Sequence, residues 1–194
     1  MKAVFLDRDG VINENRTDHV CRWSDFRFLP GSLEAISRLT RAGIAAFVIT
    51  NQAIINRGVV SRETVDAIND HMTREIERAG GRIQEVAYCP HRPDEECGCR
   101  KPRPGLLHRL AGRHGIDLAQ SVLVGDALSD IEAGRRAGCQ TILVLTGRGR
   151  LQLKSALSGG ANGFWIASDL NAAISLVLQS EPVRFHSGAL EKVA

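Results

Sequence analysis

The chain has 194 residues, of which 43% are apolar and 24% charged, and a formal net charge of +3. Those values describe one ordinary globular domain with a substantial core. The charge is too small and too scattered to indicate a nucleic-acid partner, and no apolar run reaches the roughly 18 residues of a membrane helix.

The first aspartate stands at position 7, which leaves no room for a secretory apolar region, so a cytoplasmic protein is expected; separately, a monomer is expected. Ala3 to Leu6 is an unbroken apolar run, as in a buried parallel strand. It ends in Asp7-Arg8-Asp9-Gly10. Two carboxylates at the carboxyl end of a buried strand are unfavourable unless a cation sits beside them. Taken alone, the pair reads equally well as a solvated turn. Val11 to Pro30 has no period and is longer than most connections. Within it, Asn13, Asn15, Arg16, Thr17 and Asp18 are candidates to line a substrate entrance, and an ordinary surface loop with Trp23, Phe26 and Phe28 packed beneath it is the alternative reading.

Ser32 to Ala42 reads as an amphipathic helix stopped by Gly43. Ile44 to Ile49 is a second buried strand, ending in Thr50-Asn51-Gln52. After a turn, Ser61 caps a longer helix carrying the apolar stripe Val65, Ile68, Met72 and Ile76. Ile83 to Tyr88 is a third strand. Pro104-Gly105 opens a helix that closes at Gly115. Val122 to Val124 is a fourth strand, running into Gly125-Asp126, and Ser129 to Ala137 is a short helix. Thr141 to Leu145 and Phe164 to Ala167 are further strands, with a final helix from about Asp169 to Leu178. Residues 181–194 read as a loose tail on a single domain spanning 1–180. Strands alternating with helices imply an α/β fold with a parallel sheet covered on both faces.

In such a sheet the strand ends share one edge. If the first, second and fourth strands are neighbours, Asp7, Asp9, Thr50 and Asp126 converge. Three carboxylates there call for a hard divalent cation, hence Mg²⁺. Lys101, followed by Pro102, supplies a second positive charge. That set suits phosphoryl transfer, which needs charge neutralisation and in-line positioning. Separately, Cys89, His91, Cys97 and Cys99 place four soft ligands in eleven positions within the 89–104 loop. A closed Cys₃His set is a structural Zn²⁺ site. Arg100 and Lys101 follow Cys99 at once, so zinc would hold the segment that delivers the cations. Arg148 and Arg150, after the fifth strand, read as a solvated loop, although a second phosphate is within conceivable reach.

F-L-D-R-D-G-V-I-N, V-I-T-N-Q, C-R-K-P-R-P-G and L-V-G-D-A-L-S-D resemble, in order and across nearly the whole chain, the four motifs of the haloacid dehalogenase superfamily phosphatases. The zinc loop with R-K-P is similar to the branch that dephosphorylates heptose bisphosphates and histidinol phosphate. The resemblance implies a Rossmann-like fold without a large cap domain and an open site for a small phosphorylated metabolite. The leading substrate on this likeness is heptose bisphosphate at its 7-phosphate, with histidinol phosphate as the alternative. It implies that Asp7 is the nucleophile and forms an aspartyl-phosphate, and that Asp9 is the general acid and base. It further implies that Thr50 and Lys101 bind the phosphoryl group, and that Asn51 and Arg100 contact substrate. Asp7, the backbone carbonyl of Asp9 and Asp126 would hold Mg²⁺. Asp130 reads two ways, as a carboxylate orienting Lys101 or as a first-turn charge serving its helix dipole. A non-catalytic module using the zinc loop to hold a partner would have no need of Asp7, Asp9 and Lys101, and all three are present. One departure stands out: after T-N-Q the chain reads A-I-I-N-R-G, where heptose phosphatases usually carry S-G-I-A-R-G.

Overall fold

The computed structural model describes residues 1–158 and 162–179; the predicted tail, 181–194, lies outside the described residues. Among them, the strands are β1 (Ala3–Leu6), β2 (Ala45–Asn51), β3 (Glu85–Cys89), β4 (Val122–Gly125), β5 (Gln140–Val144) and β6 (Trp165–Ala167). They form one sheet in the order β3-β2-β1-β4-β5-β6, every pair parallel. The helices are α1 (Ser32–Arg41), α2 (Arg62–Arg78), α3 (Gly105–His114), α4 (Leu128–Ala137), α5 (Gly149–Ser158) and α6 (Leu170–Gln179).

Side chains alternate across the sheet, and this divides the core. Val4, Leu6, Ala46 and Val48 pack against Ile36 and Leu39 of α1, Ile68, Met72 and Ile76 of α2, and Ile174 and Val177 of α6. Ala3, Phe5, Phe47 and Ile49 face the other way, against Leu106, Leu107 and Leu110 of α3 and Ala133 of α4. Burial on both faces explains why β1, β2 and β4 read as continuous apolar runs rather than alternating ones.

Three elements differ from expectation. Strand β2 runs on through Thr50 and Asn51, which pair with Tyr88 and Cys89 of β3. Both polar residues are therefore held by the ladder and not by the turn after it. Strand β3 begins at Glu85 rather than Ile83. Helix α5 was not expected; Leu151 and Leu157 are exposed on it, so its apolar residues do not mark a core stripe.

The long connection after β1 is folded back on itself. Asn13 bridges Phe28, the Leu29 amide donates to the Ile12 carbonyl at 2.9 Å, and Trp23 stacks on Phe26 and on His71 of α2. It forms a short rim, and no cap domain is inserted there.

Candidate active site

The strand order reverses between β1 and β4, with β2 and β3 on one side and β5 and β6 on the other. At such a switch point the loops leaving adjacent strands diverge, and the crevice between them opens at the carboxyl edge. Asp7 follows β1 and Asp126 follows β4, so both stand at the mouth of that crevice. Gly10 (φ +90°) and Gly147 (φ +53°) make room for Asp126: a Cβ on either would strike its carboxylate. Both also need the left-handed backbone that glycine adopts freely.

Lys101 reaches into the crevice from the cysteine-rich loop, on a cis Lys101–Pro102 peptide. Its ammonium is 2.9 Å from Asp7 Oδ1 and 2.6 Å from Asp130 Oδ1, and it donates to the Ile49 carbonyl at 2.8 Å. Burial opposes the charge on Lys101, but Asp130 and Asp7 outweigh it and raise its pKa. Burial likewise pushes Asp7 up to about 6, against the pull of Lys101 and with added repulsion from Asp130. The two readings of Asp130 turn out to be compatible. Its Oδ2 accepts from the Ala127 amide and caps α4, while its Oδ1 faces Lys101.

Ligand oxygens of Asp7, Asp126 and Asp130 lie within 4.8 Å of one another. This is an all-oxygen, anionic set, and it fits a hard divalent ion. Burial raises the pKa of Asp126, opposed by Arg148 and helped by Asp7. Mutual repulsion and desolvation of this kind are what a bound cation relieves. The Asp9 carboxylate is not part of the group. It turns toward Arg8 (2.9 Å), Asn13 (2.9 Å) and Gln52 (2.9 Å).

Thr50 is buried, and its hydroxyl accepts from the Gln52 side chain at 3.0 Å. Gln52 thereby links Thr50 to Asp9. Asn51, expected to contact substrate, also clamps the loop: its side chain donates to the Lys101 carbonyl and accepts from the Lys101 amide, each at 3.1 Å.

A cavity of about 400 Å³ opens over these groups. Asp7, Asp9, Thr50, Asn51 and Lys101 line it, together with Asn15, Arg16 and Arg100, so each expected substrate-side residue borders the same space. Arg57, Ser129 and Arg148 also line it. Arg148 was read as part of a solvated loop. Its guanidinium instead pairs with Asp126 at 3.0 Å, and its backbone amide donates to Asp126 Oδ2 at 2.8 Å. The T-G-R-G turn directly after β5 was the available signal, since every other strand end near the switch point carries chemistry. With Arg16, Arg57, Arg100 and Arg148 around it, the cavity is strongly cationic toward any ligand bearing more than one phosphate.

Cys89, His91, Cys97 and Cys99 come together beside this cavity. Cys89 Sγ is 3.4 Å from His91 Nδ1, 3.5 Å from Cys97 Sγ and 3.3 Å from Cys99 Sγ. Cys99 Sγ is 3.3 Å from His91 Nδ1 and 3.5 Å from Cys97 Sγ. Tetrahedral ligands around zinc sit roughly 3.5–4 Å apart, given Zn–S and Zn–N lengths of about 2.3 and 2.0 Å. The donor set and its spacing therefore fit zinc. Arg100 is tied to the cluster by a 3.1 Å bond to the His91 carbonyl.

Residues 98–173 match a HAD-hydrolase-like family model. The chain is 42% identical to D-glycero-beta-D-manno-heptose-1,7-bisphosphate 7-phosphatase of Bordetella bronchiseptica over 92% of its own length and 99% of the relative's. It is 39% identical to the enzyme of that name from Pseudomonas aeruginosa, over 91% and 97% of the two chains. The crystal structure of the Bordetella D,D-heptose 1,7-bisphosphate phosphatase, complexed with magnesium and phosphate, superposes with a TM-score of 0.87 over 92% of this chain and 99% of that one.

Proposed function

The chain belongs to the heptose-bisphosphate phosphatases of the haloacid-dehalogenase-like hydrolases, and from that membership we propose that it hydrolyses the 7-phosphate of D-glycero-D-manno-heptose 1,7-bisphosphate. The observation that carries the reading is the meeting of Asp7, Asp126 and Asp130 within 4.8 Å, with Lys101 ion-paired to two of them.

Asp7 is the nucleophile. Its oxygen attacks phosphorus, and Lys101 and the Thr50 hydroxyl hold the transferring group. Asp9 gives a proton to the departing sugar oxygen and later takes one from the water that cleaves the aspartyl-phosphate. Burial pushes the Asp9 carboxyl up, but Arg8, Asn13 and Gln52 outweigh it and hold its pKa below the usual value. In the free enzyme Asp9 is therefore a carboxylate, and the negative charge of an arriving phosphate is what raises its proton affinity. Mg²⁺, held by Asp7, Asp126 and the Asp9 carbonyl, would neutralise charge on the phosphoryl oxygens. Zn²⁺, held by Cys89, His91, Cys97 and Cys99, would brace the loop that presents Arg100 and Lys101. Arg16, Arg57 and Arg100 line the cavity and would receive the phosphate that is not cleaved.

The relatives at 42% and 39% identity carry the β-anomer in their names, and the β-anomer is the expected preference here. Ala53 and Ile54 line the cavity where heptose enzymes usually carry Ser-Gly, which makes histidinol phosphate the comparison substrate. Measuring kcat/KM for both anomers and for histidinol phosphate tests the reading. A clear preference for the β-bisphosphate is expected, and comparable values for all three would overturn the substrate assignment.

A further inference from the structure

Arg8 sits between the two aspartates of the D-R-D-G stretch, and its side chain is only 1% exposed. A guanidinium is rarely this deeply buried unless its charge is matched and its donors used. Asp9 matches the charge: Nη2 lies 3.2 Å from Oδ1 and 2.9 Å from Oδ2. The other arm reaches across to α2, where Nη1 donates to Asn69 Oδ1 at 3.0 Å. Asn69 is itself buried, a polar residue beside the apolar stripe of that helix. Arg8 Nε and Asn69 Nδ2 both lack hydrogen-bond partners. A buried ion pair is weak evidence for stability, and one with unused donors is weaker still. The arrangement does, however, help to fix the orientation of the Asp9 carboxylate, with Asn13 donating to Oδ1 and Gln52 to Oδ2, and Arg8 is the partner that touches both oxygens.

We propose that Arg8, anchored by Asn69, is a positioning residue that aims the Asp9 carboxyl group at the leaving oxygen. The inference rests on the phosphatase reading above. In the first half-reaction a bond forms between Asp7 Oδ and phosphorus while the bond from phosphorus to the sugar oxygen breaks. The electron pair stays on that oxygen, which takes the proton from Asp9. In the second half Asp9 takes a proton from water as the water oxygen attacks phosphorus and the Asp7 carboxylate departs. An Asp9 held by Asn13 and Gln52 alone would be turned away from the leaving oxygen and fail at the proton transfer, leaving the Asp7 attack untouched.

That difference sets the test. An aryl ester such as 2,4-dinitrophenyl phosphate expels a stable phenolate and needs no proton, whereas a sugar phosphate expels an alkoxide and does. The quantity to compare is kcat/KM, which covers only the steps up to the aspartyl-phosphate. Arg8→Met is expected to lose about a hundredfold on the sugar phosphate but less than about threefold on the aryl ester, in line with the usual worth of general acid catalysis. Arg8→Lys keeps a cation beside Asp9 and is expected to recover part of the loss. Should Arg8→Met fail to fold by circular dichroism, Asn69→Leu leaves the Arg8–Asp9 pair and removes only its far anchor. A selective loss of about tenfold on the sugar phosphate is then expected. Equal losses on both esters, or no loss on the sugar phosphate in a folded variant, would overturn the proposal while leaving the phosphatase reading intact. A wild-type enzyme inert toward both esters would overturn the two together.

Discussion

Lys101 holds the most consequential side chain at the scale of single residues. Its ammonium neutralises Asp7 and Asp130, and all three groups are buried, where each charge is felt most strongly. Replacing it with Met removes the cation paired to Asp7 and leaves two buried carboxylates facing each other. The Asp7 pKa then rises, so less of the nucleophile is ionised at neutral pH. A fall in kcat of about a hundredfold or more is expected, with the fold intact by circular dichroism. A variant of near-normal kcat would remove Lys101 from the reaction. Asp7, Thr50 and Asp126 were legible in the sequence because short polar groups directly after apolar runs are conspicuous, and Lys101 because it follows the Cys₃His set at once. The bridge that Gln52 makes between Thr50 and Asp9, and the pairing of Arg148 with Asp126, were not. Long or flexible side chains in turns carry no periodic signal, and their reach is set by tertiary placement.

Among the elements, the cysteine-rich loop and edge strand β3 deliver the cations. The Cys₃His cluster was legible because its spacing alone excludes most other uses of those residues. A Cys97→Ser, Cys99→Ser protein shown to be free of zinc is expected to keep the sheet but lose about a hundredfold in kcat, since a misplacement of about 1 Å at Lys101 has that effect. Full activity of that metal-free protein would contradict the bracing role. Strand β3 is also pinned to α3, through Glu85 to Arg113 and to His114 at 2.8 Å. Burial raises the Glu85 pKa, but His114 and Arg113 outweigh it and lower it overall. A carboxyl group lowered in this way stabilises the fold above its unfolded pKa, and the contribution fades as pH falls through the folded value. Glu85→Gln is expected to lower Tm at pH 7 by an amount worth up to about 1 kcal/mol. The difference between variant and wild type should shrink as pH falls below about 4.3 and disappear once pH is below the lowered folded value. A Tm difference independent of pH would rule out the ionic contribution.

At the scale of the whole molecule, the reversal of strand order between β1 and β4 makes one site from segments more than a hundred residues apart. The α/β pattern was legible from the alternation of apolar strands with amphipathic helices. The strand order was not, because nothing within β1 states which neighbours it takes; the convergence of Asp7 with Asp126 argued for it only through chemistry. Helix α5 escaped notice for a related reason, its leucines facing outward rather than into a core. The central claim is that these distant segments form one Mg²⁺-dependent phosphatase acting through Asp7. Phosphorus NMR of heptose 1,7-bisphosphate incubated with the enzyme and Mg²⁺ tests it most directly. The account predicts that the 7-phosphate signal is replaced by inorganic phosphate while the anomeric phosphate persists, and that an Asp7→Asn protein leaves both signals unchanged. Release of the anomeric phosphate first, or equal turnover by the Asp7→Asn protein, would contradict it.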